Sequence, residues 1–337
     1  MGDVVMTVPI VYSLAKEYPQ VRVTVLSRGY ARPLFEDLAP NVSFMEANLK
    51  RDYKGIRGLN TLYRRLTAKN FTAIADLHGV LRSSYLRLRF NLANYRVEHI
   101  EKNRKERRQL TATRNKRTEP LPTAFERYAK VFERLGYPIH DMSFRSIFPL
   151  EKGNLNMLPA TIGPKKAGEI WIGVAPFAAH EGKIYPTDRL LEVMKTLAAK
   201  HPKARIFLFG RGQREKETFP QWTAQMSRMT NVETTLEFMQ QELILMSHLD
   251  VMISMDSANM HLASVTGCPV VSIWGATHPK AGYMGWGQSE GNAVQRDMDC
   301  RPCSIYGNKP CYRGDFACMQ DISPEDIVEK VEDIINN

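Results

Sequence analysis

The sequence predicts an α/β protein built from two doubly wound, Rossmann-like domains. Three observations predict it. Short runs of β-branched and apolar residues alternate with amphipathic stretches along nearly the whole chain, the pattern of a parallel sheet with helices on both faces. The 337 residues exceed what one hydrophobic core usually serves. A stretch rich in Pro, Gly and Lys and lacking periodicity, residues 148–169, separates two such series, with a linker proper at 156–168. The expected division is 1–155, linker, and 169–337.

In order along the chain, residues 3–17 read as a helix that ends at Tyr18-Pro19. "VRVTVL" (21–26) and "FTAIADLHG" (71–79) read as strands. Residues 101–117 hold eight basic residues against two acidic ones and read as a mobile loop or the edge of a helix. In 122–138, Phe125, Tyr128, Val131, Phe132 and Leu135 share one helical face, and Gly136 with Pro138 stops the helix. In the second half, 169–178, 204–210, 251–257 and 268–275 read as strands, and "NVETTLE" (231–237) as a short one. Helices are expected over 187–202 with Thr187 as cap, after residue 210, from Met239, over 258–267, and in the tail from Ser323-Pro324.

Hydrophobic residues make up 43% and charged residues 24%, an ordinary globular balance. No apolar run is long enough to span a bilayer, and the start lacks a basic n-region, so the cytoplasm is the expected address. The net charge of +10 is uneven. Residues 1–150 hold 27 Lys and Arg against 14 Asp and Glu, whereas the rest is slightly acidic. Such a half attracts an anionic partner: nucleic acid, lipid or an acidic small molecule. No groove-reading motif or stacking aromatic series supports nucleic acid. No GxGxxG follows a strand, no GxxxxGK[ST] occurs, and no Asp-x-Asp sits at a strand end to hold a metal nucleotide.

Three places could carry chemistry. In "ISMDSANMHLASVTG" a strand ends before Asp256 and Ser257, and a helix begins with Ala258 and Asn259. The free N–H groups and positive end of that helix suit an anion, although Asp256 and Ser257 also make good caps. His261 lies one turn into it. Lys183, in a loop between a strand and a helix, suits a phosphate as a point charge or is a surface lysine. Asp3 suits a general base or a helix N-cap. Cys300, Cys303, Cys311 and Cys318 form C-x2-C-x7-C-x6-C, open to a structural zinc or to free thiols, the second pair being widely spaced for zinc.

These segments also carry a resemblance. "GDVVMTVPIVYSLAKEYP", "ADLHGVLRSSYL", "TAFERYAKVFERLG", "APFAAHEGKIYP" and "DSANMHLASVTGCPVVSIWGATHP" together resemble bacterial glycosyltransferase family nine, the heptosyltransferases of lipopolysaccharide core synthesis. The resemblance implies a GT-B fold, its two domains facing each other across a cleft, with acceptor in the first and nucleotide sugar in the second. It implies inverting, metal-independent transfer from ADP-heptose to a lipid A-Kdo type acceptor. It makes Asp3 the catalytic base and Lys183, Asp256, Ser257, Ala258, Asn259 and His261 the donor site, with Gln213 counted among the donor contacts. The family's Asp-[ST]-Gly-x-x-His has Ala258 here in place of Gly. Arg57, Arg64, Arg65, Arg82 and the 101–117 run are candidates for the anionic acceptor, at the inner membrane surface. Members have a strand ahead of the Gly-Asp, so the resemblance leads one to expect either a true start upstream of the given one or an acceptor domain that folds without its first strand, with weak or absent transfer from the chain as given. Another nucleotide sugar, a non-catalytic member, and a basic nucleic-acid binder are the alternatives.

Overall fold

The computed structural model describes residues 1–336 and divides into two compact units. One holds residues 3–104 and 122–147; the other holds 105–121 and everything from 148 on.

The chain opens with α1 (Gly2–Val5) and α2 (Val8–Glu17) rather than one helix over 3–17. The Thr7 hydroxyl donates to the Val4 carbonyl at 2.7 Å and closes the first turn. Pro9, lacking an N–H, then suits the start of a second helix. Asp3 therefore lies inside a first turn and is not an N-cap, a place where negative charge is still favourable. The four strands of this unit form two separate parallel pairs: β1 (Val23–Ser27) with β2 (Val42–Glu46), and β3 (Ala73–Asp76) with β4 (Arg96–His99). Neither β2 nor β4 was expected: both are short and half polar, and a period of two hardly shows in four or five residues.

Helices α3 (Gly55–Thr67) and α4 (Leu81–Leu92) follow β2 and β3. They bury Leu62, Leu66 and Phe90 with Met45 and Tyr53. Asn60 ties them together, accepting from the Tyr85 hydroxyl at 2.8 Å, while the Arg89 guanidinium lies 4.5 Å above the Tyr63 ring.

The run 101–117 is part helix and part irregular chain. It contains α5 (Arg104–Leu110), and residues 105–121 belong to the second unit. There Leu110 and Leu121 pack on Ala281 beside Tyr283 and Ile305. Arg107 lies over the rings of Tyr283 and Tyr306. The expected helix after residue 122 is α6 (Ala124–Arg134), started by a capping box in which Thr123 Oγ1 accepts from Glu126 N at 3.1 Å.

The second unit holds one six-stranded parallel sheet in the order β10-β9-β8-β5-β6-β7. Its strands are β5 (Trp171–Ala175), β6 (Arg205–Leu208), β7 (Met229–Asn231), β8 (Val251–Met255), β9 (Val270–Trp274) and β10 (Ala293–Gln295). Around it lie α7 (Thr187–Lys200), α8 (Gln213–Thr223), α9 (Val232–Thr235), α10 (Met239–Ser247), α11 (Ala258–Val265), α12 (Ala317–Gln320) and α13 (Pro324–Ile335). Every residue of β5, β8 and β9 is buried, as expected of parallel strands covered on both faces. Each fully buried Ile or Val side chain there contributes about 1.5–3 kcal/mol.

Two local expectations fail here. "NVETTLE" is not a strand, because Asn231 ends β7 and its side chain accepts from Glu233 N at 3.0 Å, starting α9 instead. Thr187 does not cap α7: it is the first helical residue, and Pro186 occupies the cap position without a side-chain bond. Among the described residues no helix is long and apolar enough to cross a membrane.

Candidate functional site

The strand order of the second unit runs β5, β6, β7 to one side and β8, β9, β10 to the other. The chain direction switches between β5 and β8, and the carboxyl ends of two such neighbours frame a crevice where open α/β sheets bind ligands. The residues that follow β5, β8 and β9 meet there.

Lys183 ends a 3-10 turn, Glu181–Lys183, beyond β5, and Asp256 directly follows β8. Their side chains form an ion pair, Nζ to Oδ2 at 2.9 Å, with both groups largely buried. The same Asp256 oxygen accepts from the Thr277 hydroxyl, beyond β9, at 2.8 Å. Lys183 is therefore not the isolated point charge that its loop position suggests: the carboxylate fixes its direction. Ser257 takes extended backbone as N-cap of α11, its hydroxyl accepting from Asn259 N at 3.3 Å. The other first-turn amides have no intrahelical partner, which leaves the positive end of α11 for an anion beside the ammonium. Ala258 is the first residue of that helix and has an ordinary negative φ, so the missing glycine costs no backbone conformation. His261 is buried one turn further in.

Two features missed in the sequence brace this group. The buried Arg301 donates to the carbonyls of Gly275 at 2.5 Å, Trp274 at 3.1 Å and Thr277 at 2.9 Å, which fixes the chain beyond β9. Burial holds its guanidinium below its usual range. No sequence signal separates Arg301 from any other loop arginine. Gly307, at φ +76°, lies against the stem of Lys183; a Cβ there would stand 2.5 Å from Lys183 Cδ. A glycine in the loop between Cys303 and Cys311 was the available signal, glycine being the residue that readily takes a positive φ.

The cysteines frame the same loop. Cys300, Cys303, Cys311 and Cys318 are free thiols lining one small cavity with Tyr312 and Phe316. Cys303 N and Ser304 N donate to Ala276 O at 3.1 and 3.2 Å, which ties this segment to the end of β9. Burial pushes the thiols of Cys303 and Cys318 up, Cys318 to about 11. Among the described residues no group of three or more His, Cys, Asp or Glu side chains is arranged to hold a metal ion. His278 starts a 3-10 turn, Pro279–Ala281, with Nδ1 accepting from Lys280 N at 3.0 Å; burial and then Arg301 push it down to about 4.

Gln213 stands apart. It is the exposed first residue of α8, and its amide donates to Glu217 at 2.7 Å. Asp3 belongs to the other unit; its carboxylate is exposed, and its backbone carbonyl accepts from the Tyr128 hydroxyl at 3.3 Å. Of the arginines proposed for the acceptor, Arg57, Arg64 and Arg82 are exposed on α3 and α4. Arg65 is exposed as well, and one of its guanidinium nitrogens donates to the Tyr53 hydroxyl at 2.7 Å. In the 101–117 run, Lys116 is held by the carbonyls of Asp299, Arg301 and Pro302 at 2.9–3.3 Å. Asp76, unremarked in the sequence, is buried at the end of β3, accepts from His78 N and Gly79 N, and pairs with Arg87 at 3.2 Å.

Comparisons with known proteins bear on this arrangement. The profile of glycosyltransferase family 9 (heptosyltransferase) matches residues 59–310. Lipooligosaccharide heptosyltransferase 2 of Campylobacter jejuni is 22% identical over 346 residues, covering 100% of this chain and 96% of its own. Lipopolysaccharide core heptosyltransferase OpsX of Haemophilus influenzae is 23% identical over 282 residues, 83% of this chain and 77% of its own. The solved structure of Escherichia coli ADP-heptose LPS heptosyltransferase II superposes with a TM-score of 0.67 at 18% identity, covering 98% of this chain and 95% of that one. The α/β architecture with its parallel sheet is thus of the GT-B type.

Proposed function

The chain belongs to glycosyltransferase family 9 and is a glycosyltransferase, and from that premise we propose that it moves a heptose from ADP-heptose to a lipopolysaccharide inner-core acceptor of the lipid A-Kdo type, with inversion and without a catalytic metal. The observation that carries the reading is the Lys183–Asp256 pair beside the start of α11 at the switch between β5 and β8. A nucleoside diphosphate accepts hydrogen bonds from the first-turn amides, and Lys183 turns part of its charge toward the departing phosphate while Asp256 keeps it in place. Fixed donors of this kind stabilise charge as it develops on the leaving group without reorganising. Ser257 and Asn259 set the helix start, and His261 supports it from within. Asp3 takes the proton from the attacking hydroxyl, a role that its solvent-facing carboxylate leaves open. Arg57, Arg64 and Arg82 attract the anionic acceptor at the cytoplasmic face of the inner membrane.

Transfer from ADP-heptose to a Kdo-lipid A acceptor, followed by NMR of the product's anomeric proton with and without EDTA, tests the reading. Transfer from UDP- or GDP-sugars alone would move the activity to another nucleotide sugar, and loss with EDTA would remove metal independence. Lys183→Ala is expected to weaken ADP binding about 10- to 100-fold, the loss of one charge-assisted hydrogen bond; unchanged ADP binding by calorimetry would displace Lys183 from the donor site.

A structural zinc is a separate part of the proposal. The zinc rests on the C-x2-C-x7-C-x6-C spacing and on four thiols lining one cavity, although among the described residues no three of them stand arranged to hold an ion; the segment bearing them braces Lys183 through Gly307. Metal analysis of the purified protein tests it, and protein that is active and free of bound metal removes it.

A further inference from the structure

Helix α4 carries an apolar stripe on its outer side. Leu81, Tyr85, Leu88 and Leu92 recur at i, i+4, i+7 and i+11, one face of a 3.6-residue period. The core takes the opposite face, where Phe90 is buried and Leu86 packs against the same cluster. The outer leucines are bare: Leu81 is 91% exposed, Leu88 55% and Leu92 73%. The neighbouring α3 adds Ile56, 66% exposed and one turn before Asn60, which bonds Tyr85 one turn into α4. Four large aliphatic side chains so arranged on a helix pair are not the scattered single residues of an ordinary surface.

Charge says what covers them. Residues 53–97 contain nine Lys and Arg and a single acidic residue, Asp76, which is buried and paired with Arg87. Neither α3 nor α4 contains an Asp or Glu. Arg57 and Arg64 lie exposed two turns apart on α3, and Arg82 is exposed beside Leu81. An exposed leucine stripe on helices whose charged residues are all cationic matches the region where acyl chains meet anionic headgroups, and it fits a helix lying in the plane of the interface.

We propose that α4, with the start of α3, is the surface by which the protein docks on an anionic lipid bilayer, Leu81, Leu88 and Leu92 entering the headgroup layer and Arg57, Arg64 and Arg82 pairing with phosphates. This deepens the reading of a membrane-borne acceptor given above, and it is tested apart from catalysis. In co-sedimentation with vesicles, the full chain binds phosphatidylglycerol-containing vesicles, binds pure phosphatidylcholine weakly, and loses affinity as salt rises. The triple variant Leu81→Ser/Leu88→Ser/Leu92→Ser lowers binding at least tenfold. It turns over a water-soluble, deacylated acceptor at the wild-type rate and a vesicle-embedded one more slowly. In the wild-type chain, anionic vesicles slow amide exchange over 81–92, a readout that needs no variant to fold. Equal vesicle binding by the triple variant, equal binding to neutral vesicles, or protection confined to other segments would overturn the proposal. So would a concentration-dependent dimer that the triple variant abolishes, since a second copy would then be the occupant. Vesicle binding without any transfer would sink the heptosyltransferase reading and leave the docking surface standing.

Discussion

The two units use parallel strands in opposite ways. In the second, six strands form one sheet, and β5, β8 and β9 are buried along their whole length. In the first, four strands form two pairs, and β1 and β4 have no fully buried residue. Two-stranded sheets have little stability of their own and depend on what packs against them. The difference teaches where rigidity resides. A site that must hold a fixed ion pair and a fixed helix start is carried on the continuous sheet. The surface that offers arginines and leucines outward is carried on the unit with the lighter frame.

The largest effect is expected from Asp256→Ala. It strands Lys183 and Thr277 in a buried setting, a cost of about 3–5 kcal/mol, and the variant should melt far lower and no longer bind ADP. A melting temperature close to wild type would show that the ion pair does not anchor the second unit. The next test sets the two sheets against each other. Ile253→Ala, in the middle of β8 and fully buried, is expected to cost 2–5 kcal/mol, about the range for core truncations. Ile74→Ala, only partly buried on β3, should cost about 1 kcal/mol. Equal losses in urea titrations would erase the contrast between units.

A smaller effect comes from His278. Its pKa is about 4 in the folded chain against 6.5 when unfolded, so the unfolded chain binds more protons between those values. Stability is full above pH 6.5 and falls as pH drops toward 4, by about 2 kcal/mol once partial exposure is discounted. Replacing His278 by Asn, which keeps an acceptor for Lys280 N, should flatten that slope in pH-dependent denaturant titrations. Smallest is Ser257→Ala, the loss of one N-cap at about 1 kcal/mol; on the proposed donor site it should also weaken ADP binding, because the cap sets the helix-start amides.

Legibility in the sequence follows the same divide. In the second unit β5, β6, β8 and β9 show as apolar runs because burial leaves them few polar positions, and Asp256, Ser257 and Lys183 stand out near the ends of β8 and β5, whereas β7 and β10, three residues each, were too short to read. The pairing of Lys183 with Asp256 was not legible, since it depends on β5 and β8 being neighbours despite their separation in the chain. Arg301 was invisible for the same reason: its partners are backbone carbonyls brought close by β9 and β10. In the first unit β2 and β4 escaped because a half-exposed strand of four or five residues carries too few apolar positions to reveal a period. "NVETTLE" misled because Val and Thr favour strands, whereas the local cap at Asn231 decided the outcome.

The segment 105–121 has a practical consequence. Since Leu110, Leu121 and the Arg107 guanidinium cover Ala281, Tyr283, Ile305 and Tyr306, a fragment cloned from residue 148 onward would leave that patch bare to water. The second unit is thus assembled from two stretches of chain. Anyone wishing to produce it separately must splice in the earlier piece or expect a fragment prone to precipitate.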